Sequence, residues 1–188
     1  CQAWNPDATQ DHVREQTRMH VIPMRSADLA ESLEGLGRLV EVSGTSCRNA
    51  TPWFMFLRRP MDGAIPRNVG GLTVGGLTDT EDRAQEIARV LEGGMDEADP
   101  DNPAADLLWT TRMTQWACRL GRARLGAGDE IGSVDEATRR SLVSDLRALV
   151  RRQAELWPRT SRPGGRADSG ERLERLGRWI ERGGSAAL

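Results

Sequence analysis

Leu156-Trp157-Pro158-Arg159-Thr160-Ser161-Arg162-Pro163-Gly164-Gly165-Arg166-Ala167-Asp168-Ser169 is a stiff, arginine-rich connector between two strongly helical segments, and its reading decides the fold. Pro158 lacks an amide proton and is expected to close the helix before it, while Pro163 fixes φ and Gly164-Gly165 permit a left-handed turn. Arg159, Arg162 and Arg166 surround that turn, where they can hydrogen-bond the orphan carbonyls of the preceding helix or grip a carboxylate bidentately. Upstream, Ser133 and Glu136 read as a capping box that opens a helix bearing Leu142, Leu146, Leu149, Val150 and Leu156. Downstream, Asp168 or Ser169 is expected to cap a last amphipathic helix with Leu173, Leu176 and Ile180 inward.

The rest of the chain extends the helical pattern. Asn5-Pro6-Asp7 starts a polar segment that runs to about His20 and stops at Pro23. Ser26 can cap a helix carrying Leu29, Leu33, Leu36, Leu39 and Val40, stopped by Gly44. Asn49 to Thr51 followed by Pro52 gives a cap and first turn for the dense apolar run Trp53 to Leu57. Residues 58–78 are rich in Pro and Gly and read as a loop, with a helix expected from Asp79 to about Leu91. Asn102-Pro103 opens a long helix with Leu107, Leu108, Trp109, Met113, Trp116, Cys118 and Leu120, which Gly126 and Gly128 end. The expected class is all-α: one helical domain over residues 1–188, its long helices in an antiparallel bundle over 79–183.

Composition narrows the chemistry. With Lys+Arg 26 against Asp+Glu 28 and the signs interleaved along the helices, nucleic acid is a poor partner. Every basic residue is Arg, which removes mechanisms built on a Schiff-base, Walker-type or kinase-type lysine. Cys1, Cys47 and Cys118 are odd in number and widely spaced, so free thiols are expected in place of a disulfide framework or thiolate zinc site. The absence of an apolar run of about eighteen residues argues against a membrane span. A soluble chain is expected, in the cytoplasm sooner than outside the cell. Cys1 in first position marks a chain that is processed or cut from a longer one, and the second is favoured.

Each candidate site has a plainer reading that outweighs it. Asp129-Glu130 after Gly128 has the form of a glycosidase carboxylate pair, yet it lies between two helices, where water should keep both groups ionised. Asp96, Glu97, Asp99 and Asp101 lack the central Gly and terminal Glu of a calcium hand and read as a solvated acidic loop. His12 and His20 are too far apart to share a metal. The glycines at 70, 71, 75 and 76 lack the ending of a phosphate loop. Trp109 and Trp116, two turns apart in an apolar stripe, read as core before sugar platform, with Trp157 and Trp179 on later helices. No catalytic residue, metal or cofactor is expected.

Leu156-Trp157, Arg162-Pro163-Gly164-Gly165 and Asp168-Ser169 ahead of an Arg/Leu helix resemble the end of actinobacterial family 20 glycoside hydrolases of the β-N-acetylhexosaminidase type. Trp116-Ala117-Cys118-Arg119-Leu120-Gly121 looks like the long helix before that tail, and Leu33 to Leu39, Asn49-Ala50-Thr51 and Phe56-Leu57 resemble the segments after the family's barrel. Ala3-Trp4-Asn5-Pro6-Asp7 is similar to the point where the last barrel strand gives way to helices, so residues 1–6 would end the barrel and Trp4 would line the sugar pocket. The connector departs from the commoner form, which has Asn before Arg-Pro where Ser161 stands here.

The resemblance implies a parent enzyme hydrolysing terminal N-acetylhexosamine from glycans, with the sugar's own acetamido oxygen attacking the anomeric carbon. Its catalytic Asp-Glu pair has no counterpart in this chain. The role it implies here is structural: Trp157, Arg159, Arg162, Pro163, Gly164, Gly165 and Asp168 shape the connector. The partners it implies are the parent's own (β/α)8 barrel, glycan through that parent only, and a second copy of the chain. The alternative is a free-standing helical interaction module, lipid-anchored at Cys1; an amidase using Cys1 as nucleophile stands third.

Overall fold

The computed structural model describes residues 9–16, 19, 27–45, 51–58, 70–95, 103–162 and 164–184. Seven α-helices account for most of them: α1 (Gln10–Gln16), α2 (Ala27–Val42), α3 (Pro52–Arg58), α4 (Val74–Gly93), α5 (Ala104–Gly126), α6 (Glu136–Thr160) and α7 (Arg166–Glu181). A 3-10 turn, Ile131–Ser133, joins α5 to α6, and no β-strand occurs among the described residues. The protein is an all-α bundle.

Side-chain register gives the direction of each packing pair. Trp109 of α5 bonds the Leu149 carbonyl of α6 and Trp116 bonds that of Leu142, so the two helices run antiparallel. Gln153 meets Ser169 and Arg147 meets Glu181, which sets α7 antiparallel to α6. Arg112 pairs with Glu92 while Arg122 pairs with Glu81, so α4 and α5 are antiparallel too. In the same way, Leu29 approaches Gly94 and Ser43 approaches Gly76 across α2 and α4.

Two apolar clusters follow from these pairings. Leu29, Leu39, Ala84, Ile87 and Leu91 fill the space between α2 and α4, as their three- and four-residue spacings require. Phe56, Leu77, Trp116, Leu120, Ile131, Leu142, Leu146, Leu176 and Ile180 form the larger one, drawn from α3, the start of α4, α5, the 3-10 turn, α6 and α7. Half-buried Trp53 packs against both. Gly121 lets α3 approach α5, since a Cβ there would lie 2.5 Å from the Phe56 ring.

Several helix ends differ from expectation. The helix expected from Asp79 begins at Val74, inside the stretch read as loop, and the Thr73 hydroxyl accepts the Gly76 N–H at 2.9 Å. Gly75-Gly76 looked like a breaker, yet Gly76 serves close packing: a Cβ would stand 2.3 Å from the Ser43 carbonyl oxygen at the end of α2. Asp135, not Ser133, caps α6, accepting the Thr138 N–H at 2.9 Å, while Ser133 lies in the 3-10 turn and its hydroxyl donates to Glu130. Pro158 does not close α6, which runs on to Thr160. The proline removes the N–H that would bond the carbonyl one turn earlier, and the helix ends two residues later. The cap of α7 is Gly165 at φ +88°, and Asp168 falls in the first turn. The Thr51-Pro52 start of α3 holds as expected, with the Thr51 hydroxyl accepting the Phe54 N–H.

Candidate functional site

The connector folds onto its own tryptophan. The Trp157 indole N–H donates to the Arg162 carbonyl at 2.7 Å, and a Cβ on Gly165 would touch that ring at 3.6 Å. The Trp157 indole thus takes the carbonyl at the turn. Arg162, Gly164 and Asp168 are exposed and Arg159 is half-buried. Pro163 and Trp4 lie outside the described residues, as do Cys1, Cys47, His20 and the acidic stretch Asp96 to Asp101.

Asp129 and Glu130 part company. Glu130 is exposed, but Asp129 is only 2% exposed and its carboxylate meets the fully buried Arg124 guanidinium at 2.7 Å. The expectation that water surrounds both carboxylates is therefore wrong for Asp129. Its φ of +62° and an N–H donated to the Arg124 carbonyl fold the chain back under α5, and the Arg124 guanidinium stacks 5.3 Å from the centre of the Trp179 ring. This pair locks the α5–α6 turn to α7.

Cys118 offers no nucleophile. Burial first, then the neighbouring Glu81 charge, pushes its thiol up to about 12, against a smaller opposing effect of Arg122. His12 is exposed on α1, and among the described residues no three His, Cys, Asp or Glu side chains come together as a metal site.

What remains is an apolar cleft. Trp109 and Met113 lie one turn apart on α5, Phe54 and Leu57 one turn apart on α3, and Leu173 and Leu176 one turn apart on α7. Together they line a hollow of about 630 Å³. The Phe54 side of it is open, with that residue 45% exposed. The polar lining is Gln153, bonded to Ser169, with Arg172 and Arg175 at the rim. Among the described residues no acidic side chain lines the cleft. Sequence periodicity marks Leu173 and Leu176 as inward but cannot tell a filled interior from an open cleft, because both need the same stripe.

The chain is thus an all-α bundle bearing an open apolar cleft with a cationic rim. Comparison with protein-family models, curated proteins and solved structures finds no match. No described helix is long and apolar enough to cross a membrane.

Proposed function

We propose that this chain is a helical C-terminal part of a glycoside hydrolase resembling the β-N-acetylhexosaminidases of family 20, in which it packs against the catalytic barrel without supplying catalytic groups. The observation that carries the reading is the cleft lined by Phe54, Leu57, Trp109, Met113, Leu173 and Leu176. Apolar surface gathered from three helices into one open hollow is what a packing face looks like before its partner arrives. Phe56, Leu57, Trp116, Cys118 and Leu120, from segments that carry the sequence resemblance, belong to the same apolar cluster as Trp109, Met113, Leu173 and Leu176.

The carboxylates support a non-catalytic role. Asp129 is committed to Arg124 in the interior, so it is not available to orient an acetamido group, and the neighbouring Glu130 is exposed to water. The glycan and the reaction belong to the parent enzyme in this reading.

Reading the DNA in frame upstream of the Cys1 codon tests it. An open frame encoding alternating strands and helices with an Asp-Glu pair is expected. A start codon followed only by a short apolar leader with a lipobox before Cys1 would replace this reading with an anchored interaction module. The purified chain is expected to release no chromophore from an aryl N-acetylglucosaminide, and release that disappears in Glu130→Gln would contradict the non-catalytic role.

A further inference from the structure

We infer that the occupant of the cleft is an amphipathic helix of a protein partner whose apolar stripe is flanked by carboxylates. The inference rests on the docking half of the reading above, that protein covers the cleft, and is independent of whether the partner is a glycosidase barrel.

Three observations converge. The floor is apolar and built by helices, and a hollow between helices is filled most fully by another helix whose side chains enter it at successive turns. Among the described residues the only charged ones in the lining are Arg172 and Arg175, both exposed on α7. Arg175 has Glu171 at 4.0 Å, a contact at the limit of an ion pair, and Arg172 makes no ion pair among the described residues. Elsewhere the bundle pairs its arginines at such seams: Arg112, Arg119 and Arg122 along α5 all reach acids on α4 or α6.

The third observation is the charge of the surroundings. From Glu136 to Glu181 there are eleven arginines against seven acids, in a chain whose net charge is -2. The α7 wall of the cleft therefore belongs to a net-cationic stretch of the chain. A partner with carboxylates beside its apolar stripe gains paired, charge-assisted hydrogen bonds from Arg172 and Arg175, while a basic partner would bring like charges together.

The test uses the full chain and two labelled helical peptides of about five turns, one with Leu and Ala flanked by Glu, the other with Lys in place of every Glu. Fluorescence anisotropy is expected to show the Glu peptide bound at least about tenfold more tightly at low salt. Arg172→Glu combined with Arg175→Glu should invert that preference, and Phe54→Asp should weaken both peptides, with circular dichroism confirming that each variant is folded. Binding of neither peptide, equal binding of both, or a preference unchanged by the double reversal would overturn the inference. So would capture by phosphatidylglycerol–phosphatidylcholine vesicles, lost in the same variants, in place of peptide binding. Peptide discrimination with no barrel encoded upstream would leave this inference standing and remove the glycosidase reading; the reverse result would do the opposite.

Discussion

Trp109 and Trp116 sit seven residues apart on α5, and each donates its indole N–H to a carbonyl of α6, at 2.9 and 2.8 Å. Trp116 is nevertheless completely buried, while Trp109 is half-buried at the wall of an open cleft. The two ends of one helix pair therefore differ in what closes over them and not in how the pair is joined. At the Trp116 end the 3-10 turn tucks Ile131 inside and the Arg124–Asp129 pair ties that turn beneath Trp179. At the Trp109 end α3 and α7 leave a gap, and the charged side chains lining it among the described residues are Arg172 and Arg175. The closed end pairs its buried charge within the chain, whereas the docking proposal leaves Arg172 and Arg175 at the open end for a partner.

The largest test of this contrast is at the closed end. Trp116→Ala removes a fully buried ring and its bond to Leu142, and a loss of about 3–5 kcal/mol is expected in equilibrium urea unfolding. Asp129→Asn tolerates the left-handed backbone but leaves the buried Arg124 guanidinium without its counter-charge, for an expected loss of about 3 kcal/mol. If that variant unfolds at the wild-type urea concentration, the pair is not what holds the turn closed.

Trp109→Ala sharpens the comparison, because the same kind of bond is lost where the ring is only partly buried. About 2 kcal/mol is expected, clearly below the cost at Trp116, and equal costs would mean that the cleft is closed in solution. A smaller effect belongs to Asp135 at the start of α6. The side-chain hydrogen bond with Thr138, then the Thr138 backbone N–H, holds its carboxyl below the ordinary 3.8. A depressed carboxyl stabilises the fold above its unfolded value and loses that contribution as pH falls through the folded one. Asp135→Asn should therefore lower the thermal midpoint at neutral pH and flatten its fall below 3.8, a difference that melts between about pH 2 and 5 would reveal.

What the sequence made legible was periodicity, and what it hid was cause at a distance. Leu29 to Leu39, the Thr51-Pro52 start and the apolar stripe of α5 depend on neighbours within a turn or two, and all fall where spacing puts them. Gly75-Gly76 reads as a break in isolation, and only the Ser43 carbonyl, more than thirty residues earlier, explains a glycine inside α4. Asp135 and Ser133 are equally good caps by type, and the choice between them is made by Ile131 being drawn into the core, which commits Ser133 to a 3-10 turn. Gly165 outcompetes Asp168 as the cap because the chain must turn left-handed over Trp157. Asp129 was misread as solvated because its partner, Arg124, belongs to no apolar pattern and is buried only by the arrival of Trp179 from α7.

The cleft was legible in part, as the dense apolar run Trp53 to Leu57, but its second wall on α7 and its arginine rim needed the fold. Its openness in solution is the claim on which the rest depends. The most direct measurement is a titration of the folded chain with anilinonaphthalene sulfonate, beside Phe54→Asp at matched concentration. Phe54 is 45% exposed, so this substitution should change stability by less than about 1 kcal/mol. The account predicts saturable dye fluorescence from the wild type that is largely lost in Phe54→Asp, with unchanged circular dichroism. No dye binding, or equal binding by both proteins, would contradict it.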